Sequence, residues 1–452
     1  MSRTHQPGAP ATAPRVFFCT HGCRLNQHDT ASMRAALTGA GWSEAAAGEP
    51  ADVVVVNTCT VTARADQEAR QTIRRFARQH PGARIVVTGC YAQRAPEEVA
   101  SLPGVTDVIG AAERERMVDH LAGSRGEVIA VTPARARRPF ATEAPLPLSF
   151  GRTRALLQIQ DGCDAFCSYC IVPYVRGRSR SLPHEDAVAR ARRLLDAGFH
   201  EIVLTGADLG DYGSEHEGGR TGRSLPRLIE AILALGSAHR VRLSSIEPNK
   251  VSPELVRLAA SEPRLCRHFH LPLQSGSAAV LRAMRRGYAP ADYAALVERL
   301  TARGPVGIGA DVIVGYPGEG DTAFEETLHF LEALPIAYLH VFRYSPRPST
   351  RAALDTRRVS VAIARERSER LRALGDRKRA GFHASLVGSV LPAIVEGTSE
   401  GDGGCLARTD VYAPVRLAGR PLQRGILPVR IVAERDGALE GVVDGTETLA
   451  AG

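Results

Sequence analysis

Ala155-Leu156-Leu157-Gln158-Ile159-Gln160-Asp161-Gly162-Cys163-Asp164-Ala165-Phe166-Cys167-Ser168-Tyr169-Cys170 runs from a short apolar strand straight into a Cys-x3-Cys-x2-Cys loop. Three thiolates on one tight loop can share one iron–sulfur cluster and leave one of its irons without a protein ligand, open to a chelating molecule. The alternative is zinc. A structural zinc site asks for four ligands, usually with cysteines in pairs, and no further Cys or His stands nearby before the distant His184.

Working outward from that loop, five more β-branched or apolar runs recur at Glu201–Thr205, Val241–Ser245, His268–Leu273, Gly309–Val314 and Tyr338–Phe342. Helical patterns lie between them, as at His184–Ala197, Pro290–Arg303 and Thr322–Ala333. Six βα units fill about 190 residues, whereas a closed eight-fold barrel takes about 250, so a partial, open barrel is expected. Upstream, strands at Val16–Phe18, Val53–Val56 and Arg84–Thr88 alternate with helices at Asn26–Ala40, Val61–Gln79 and Pro96–Leu102. Continuous apolar strands alternating with helices predict a parallel α/β sheet. Downstream, short runs at Val387–Val395, Val411–Leu417, Ile426–Ala433 and Leu439–Val443 are separated by Gly-rich turns, which predicts a small all-β barrel of roughly 70 residues.

Three further cysteines take equivalent positions. Cys23 follows the first strand in Thr20-His-Gly-Cys-Arg-Leu-Asn-Gln27. Cys59 follows the second in Asn57-Thr-Cys-Thr-Val-Thr62, and Cys90 the third in Val87-Thr-Gly-Cys-Tyr-Ala-Gln93. Loops at the carboxyl edge of an open parallel sheet converge on one crevice, so three thiolates there would hold a second cluster. An isolated cysteine is more often a small core residue; the repeated placement on successive loops is what favours ligation. Cys19, Cys266 and Cys405 lack it and receive no role.

The composition fits a globular chain: 44% hydrophobic and 23% charged among 452 residues, which excludes wholesale disorder and a fibrous repeat. No run of eighteen apolar residues exists, so no transmembrane helix is expected. The Pro/Ala/Thr-rich start is not a signal peptide. Nine cysteines, an odd count in a chain without a secretory signal, point to a reducing, cytoplasmic setting. The net charge is +8, and of 57 basic residues only Lys250 and Lys378 are lysines. Arg347–Arg379 alone holds eleven basic against four acidic side chains, and Arg176, Arg178 and Arg180 follow the cysteine loop. Such patches suit a polyanion, although Glu/Arg spacing also suits a solvated helix. From Asp376 onward the balance is near neutral, nine basic against ten acidic.

The cysteine loop at the end of the first strand of a six-unit partial barrel resembles the radical S-adenosylmethionine (SAM) superfamily. Two three-cysteine sets followed by a C-terminal β-barrel look like the methylthiotransferases, over Arg15 to Val443. Of the three subfamilies, the segments Gly22-Cys-Arg-Leu-Asn-Gln27, Asn57-Thr-Cys-Thr-Val-Thr-Ala-Arg-Ala-Asp66, Ile171-Val-Pro-Tyr-Val-Arg-Gly-Arg-Ser-Arg180 and His340-Val-Phe-Arg-Tyr-Ser-Pro346 are most similar to the one that modifies threonylcarbamoyladenosine in tRNA. His21 and Arg343 depart from the pattern, at positions where an apolar residue and a proline are expected.

The resemblance implies an α/β fold in three parts: an N-terminal parallel α/β cluster domain (15–132), a central (β/α)6 partial TIM barrel of the radical SAM type (149–375) and a small TRAM-like RNA-binding β-barrel (376–446), with a disordered tail (1–14) and a linker (133–148). It implies two [4Fe–4S] clusters, an auxiliary one at Cys23, Cys59 and Cys90 and a radical SAM one at Cys163, Cys167 and Cys170. The open iron at the latter binds SAM and cleaves it to a 5′-deoxyadenosyl radical; a second SAM methylates sulfur at the auxiliary cluster. The product is 2-methylthio-N6-threonylcarbamoyladenosine just 3′ of the anticodon. In Thr205-Gly206-Ala207-Asp208, Gly206 and Asp208 resemble the loop that receives the SAM amino group, and Gln274 and Asp311, at the catalytic face of the barrel, could reach the SAM ribose. As ordinary loop residues they would instead serve turns and caps, as would Glu319 at a helix start. The expected partners are a tRNA anticodon stem-loop, an electron donor such as a flavodoxin or ferredoxin, and a sulfur donor of unknown kind, with no membrane and a monomeric state. The alternatives are isopentenyladenosine or a ribosomal-protein aspartate as substrate, and a zinc-stabilised RNA-binding protein without catalysis.

Overall fold

The computed structural model describes residues 13–122, 128–136, 139–142, 146, 153–215, 224–398, 404–419, 425–435 and 437–444. Most of the tail expected at 1–14, and much of the linker expected at 133–148, lie outside the described residues. The chain divides into two compact units, 1–136 with 143–147 and 137–142 with 148–452.

In the first unit β1 (Arg15–Thr20), β2 (Ser43–Glu44), β3 (Val53–Thr58), β4 (Arg84–Gly89), β5 (Val105–Ile109) and β6 (Val128–Ala130) form one parallel sheet in the order β2-β1-β3-β4-β5-β6. β3 and β4 are buried along their whole length, which is why their sequences run Val-Val-Val-Val and Ile-Val-Val rather than alternating. The register sets where the strands end. Thr20 pairs with Asn57 and Asn57 with Thr88, so the carboxyl ends of β1, β3 and β4 stand level.

In the second unit β7 (Ala155–Gln158) leads through β8 (Gln160–Asp161) and the cysteine loop to β9 (Arg180–Ser181), then β10 (Glu201–Thr205), β11 (Arg240–Leu243), β12 (His268–His270), β13 (Gly307–Val314) and β14 (Tyr338–Arg343). The parallel sheets β7-β10-β11 and β12-β13-β14 are joined by single bridges, Val241 to Leu265 and Ser245 to His270. The expected six units are all present. The strands alternate faces: Ile308, Ala310, Val312 and Val314 enter the apolar core, leaving Gly309, Asp311 and Ile313 on the opposite, inner face.

β15 (Val390–Thr398), β16 (Cys405–Thr409), β17 (Pro414–Leu417), β18 (Ile426–Arg435) and β19 (Ala438–Val443) close into a barrel in the order β15-β16-β17-β19-β18. The reading of Val411–Leu417 as one strand is corrected. A turn occupies that start, with the Tyr412 N–H donating to the Thr409 carbonyl and Tyr412 itself at φ +72°. The helix Val361–Leu386 runs unbroken through position 376, where the sequence reading began the barrel domain.

A charged seam holds that barrel to the β11 side. Glu201, Arg240 and Arg242 are all buried, and the two arginines donate to Glu201 and to the carbonyls of Pro392, Arg408, Thr409 and Asp410. Burial pushes the Glu201 carboxyl up, but Arg242 and Arg240 outweigh it and hold the group down at about 2. Tyr412 stacks on His268 at 4.4 Å. These partners stand at or near the amino ends of β11 and β12, the edge opposite the cysteine loop.

Candidate iron–sulfur and SAM sites

Three residues beyond Thr20 stands Cys23, two beyond Asn57 stands Cys59, and two beyond Thr88 stands Cys90; level strand ends therefore bring all three cysteines to one sheet edge. Cys23 is exposed at the start of the helix Arg24–Gly39, and Cys59 and Cys90 are buried. One side chain ties the loops together. Asn26 Nδ2 donates to the His21 carbonyl at 2.8 Å and the Thr58 carbonyl at 3.0 Å, and Cys90 Sγ lies 4.0 Å from Asn26 Oδ1. Gly22, at φ +102°, leaves no room for a side chain: a Cβ would sit 2.7 Å from Cys59 Cβ. Arg94, four residues past Cys90, donates to Thr60 beside Cys59 at 2.9 Å and pairs with Asp66 at 3.2 Å. Asn57 Oδ1 and Thr88 Oγ1, at the strand ends beneath, are buried without a hydrogen-bond partner.

The second set sits on a single loop clasped at its base by β8 and β9, where Gln160 pairs with Ser181 and Asp161 with Arg180. Asp161 accepts from Arg176 at 3.0 Å and Arg180 at 2.7 Å. Gly162, at φ +73°, packs so close to the Arg178 carbonyl that a Cβ would collide with it. Gln160 donates to the Gly162 carbonyl at 2.8 Å and accepts from the Asp208 N–H at 2.8 Å. It thereby links the loop to the end of β10, and Gly206 packs on it too. Ser168 N–H donates to the Met284 carbonyl at 3.0 Å, and Cys167 Sγ lies 3.4 Å from Arg286 Nη1.

Burial raises the Cys163, Cys167 and Cys170 thiols; Asp208, Cys170 and Cys167 add to it at Cys163, and Cys170 reaches about 12, through burial first and Cys167 second. Arg286 works against this at Cys167. Without a cation the site prefers neutral thiols, and a bound metal reverses that preference.

Among the described residues, neither cysteine set brings three sulfurs within 4.8 Å of one another. One tetrahedral zinc would need its sulfurs about 3.8 Å apart, whereas a cubane interposes irons and sulfides between them. Neither set is drawn in as tightly as one tetrahedral zinc requires.

Asp208 lies 3.5 Å from Cys163 Sγ through Oδ2, the same oxygen that takes Lys250 Nζ at 2.5 Å; Lys250 also reaches Asp211 at 2.7 Å. Asp208 Oδ1 is buried and unpartnered, as an acceptor waiting for an ammonium would be. Burial raises the Asp208 carboxyl, and Lys250 only partly opposes it. Gln274, past the end of β12 and bridged to Val312 of β13, stands at φ +67° with its Oε1 buried and unpartnered. Asp311 has its Oδ1 engaged by His270 and His340.

Lys250 and Arg286 were missed by the sequence reading. Lys250 had a signal, being one of two lysines in an arginine-rich chain; Arg286 had none. The basic patches read differently in place. Arg176 is buried on Asp161, Arg367 is buried between Glu319 and Asp321, and Arg370 pairs with Glu325. Glu319 is thus a partner of Arg367 rather than only a first-turn charge. Arg178 remains exposed beside Phe166.

Residues 157–331 match the family model described as the radical SAM superfamily, and residues 15–110 match that of "Uncharacterized protein family UPF0004". The fold and the cysteine loop therefore define a radical SAM enzyme, with SAM and a [4Fe–4S] cluster as its cofactors. A solved radical SAM methyltransferase, TsrM from Kitasatospora setae, shares the fold at TM-score 0.54 and 17% identity over 76% of this chain and 77% of that one. The threonylcarbamoyladenosine tRNA methylthiotransferase MtaB of Bacillus subtilis is 36% identical over 89% of this chain and 90% of its own, and that of Aquifex aeolicus 37% over 84% and 92%. The tRNA-2-methylthio-N(6)-dimethylallyladenosine synthase of Anaeromyxobacter dehalogenans is 35% identical over 98% of both. The chain belongs to the radical SAM tRNA methylthiotransferases. No helix among the described residues is long and apolar enough to cross a membrane.

Proposed function

We propose that this enzyme installs a methylthio group at C2 of N6-threonylcarbamoyladenosine, just 3′ of the anticodon, in the cytoplasm. The observation that carries the reading is the pairing of two three-cysteine sets, one on a single loop and one on three level strand ends. In it, Cys163, Cys167 and Cys170 hold the cluster that supplies one-electron cleavage of SAM. Cys23, Cys59 and Cys90 hold an auxiliary cluster that carries the sulfur to be transferred. Asp208 Oδ1 accepts from the SAM ammonium, with Lys250 on Oδ2 partly offsetting the burial that raises the carboxyl. Gly206 gives the backbone clearance beside Gln160, and Gln274 offers its amide oxygen to the cofactor. Arg286 keeps a positive charge beside Cys167 and fixes the loop to the Pro272 carbonyl at 2.9 Å.

The threonylcarbamoyl substrate is favoured over the isopentenyl one by the motifs around Cys23, Cys59 and His340, and by the MtaB relatives in Bacillus and Aquifex. Nucleoside mass analysis of a deletion strain tests the choice. Loss of 2-methylthio-threonylcarbamoyladenosine with its unmethylthiolated precursor accumulating is the expected result. Persistence of that nucleoside in a strain without a paralogue, with loss of the isopentenyl derivative instead, would reverse the assignment.

A further inference from the structure

The inner face of the partial barrel carries a group that neither cysteine site uses. Register sets His340 on β14 directly opposite Asp311 on β13, and His270 on β12 opposite Gly309, two residues away on the same face. His270 Nε2 lies 2.9 Å and His340 Nδ1 3.2 Å from one oxygen, Asp311 Oδ1. All three atoms fall within 4.8 Å of one another.

The second nitrogen of His270 is engaged as well. Nδ1 is 3.1 Å from the Tyr338 hydroxyl, which lies 2.8 Å from His268 Nε2. An outer hydrogen bond of this kind fixes the ring and tautomer of a metal-binding histidine. In a neutral ring whose Nδ1 donates to Tyr338, Nε2 points a lone pair at the carboxylate, and a cation between the two satisfies both. Two imidazoles and one carboxylate are the donor set of a first-row divalent ion with open positions. The separations of 2.9 and 3.2 Å fall just short of the edge of about 3.3 Å in a tetrahedron whose centre lies about 2 Å from each corner, the usual zinc–nitrogen and zinc–oxygen distance.

The group is open to a ligand. The His340 side chain is 55% exposed, and Phe342, next on the same face of β14 and exposed, has its ring 6.5 Å from that of His340. An exposed aromatic ring is a stacking platform for an unpaired base. The radical SAM loop is within reach of the same strand: two residues past His270, the Pro272 carbonyl accepts from Arg286, whose other nitrogen lies beside Cys167.

We propose that His270, Asp311 and His340 bind one first-row divalent cation, for which zinc is the probe, and that this cation takes the carboxylate of the substrate's threonyl group at an open position. The second half rests on threonylcarbamoyladenosine being the substrate. A threonylcarbamoyl group brings a carboxylate, and an isopentenyl group brings no ligand atom.

Cluster-loaded protein, freed of loose iron and dialysed against zinc chloride, should retain about one zinc per chain beyond its iron. His340→Gln should lose it, with at least a tenfold weaker zinc affinity and an unchanged iron count; Asp311→Asn should behave likewise. Equal zinc uptake by the wild type and His340→Gln, or none by either, overturns the site. The unchanged iron count distinguishes loss of the ligand from loss of fold. Against the zinc-loaded wild type, KM for tRNA carrying threonylcarbamoyladenosine should rise at least tenfold in His340→Gln, whereas SAM cleavage without tRNA should not follow it. Zinc lost with KM unmoved overturns the carboxylate half alone. A failure of the substrate reading shows separately, in the nucleoside profile, with zinc uptake intact.

Discussion

The two cysteine sets reach similar chemistry by opposite construction. Cys163, Cys167 and Cys170 share one loop whose supports are buried and half-buried charges: Asp161 with Arg176 and Arg180, Asp208 with Lys250, and Arg286 with Glu247. Cys23, Cys59 and Cys90 come from three loops joined chiefly by the neutral amides and hydroxyls around Asn26 and Asn57, with one ion pair, Arg94 with Asp66, beside Cys59. A single loop folds locally and needs charged struts to keep its shape around a polar cofactor. Three loops are positioned by a rigid sheet, so only light cross-links are required.

That contrast can be broken at several points. The largest effect is expected at Cys163→Ala, which should cut SAM cleavage by about 10³-fold or more and remove about half the iron, since one open-iron cluster is lost. Reductive cleavage assays with iron analysis check it. Asp161→Asn comes next. It leaves the buried Arg176 short of its counter-charge, and breaking a buried pair costs about 3–5 kcal/mol, read as a lower denaturation midpoint.

Lys250→Met should raise KM for SAM about 10- to 100-fold, since an unneutralised buried Asp208 takes up a proton and stops accepting. Saturation kinetics would show this as a KM effect larger than any fall in kcat. Asn26→Ala is the mildest, costing about 1–2 kcal/mol for two lost neutral hydrogen bonds. A larger loss there than at Asp161 would invert the comparison.

The single-loop site was the more legible in sequence for a physical reason. Its spacing is written in consecutive residues, Gly162 to Cys170, and the strand before it is apolar. The three-loop site was legible only through the repeated offset from strand ends, which the level register of Thr20, Asn57 and Thr88 then explains. The short β5 and β6, the helix Cys90–Arg94 and β16 gave little signal: Thr106 and Asp107 interrupt β5, Arg408 and Thr409 end β16 on polar residues, β6 spans three residues and the helix five. Long-range partners left no local trace: nothing near Arg286 points to Cys167, and nothing near Arg242 points to Asp410. The excess of arginine over Arg347–Arg379 read as a polyanion patch, yet Arg367 and Arg370 face Glu319, Asp321 and Glu325 across a packed helix pair. Net charge counts cations without counting their partners.

The division of labour between the two sets is tested most directly by Cys59→Ala, assayed for iron, 5′-deoxyadenosine and methylthiolated nucleoside in one preparation. The expected result is about half the iron, SAM cleavage retained and no methylthiolated product. Methylthiolation that survives at the wild-type rate, or SAM cleavage that vanishes with it, would contradict separate roles for the two sites.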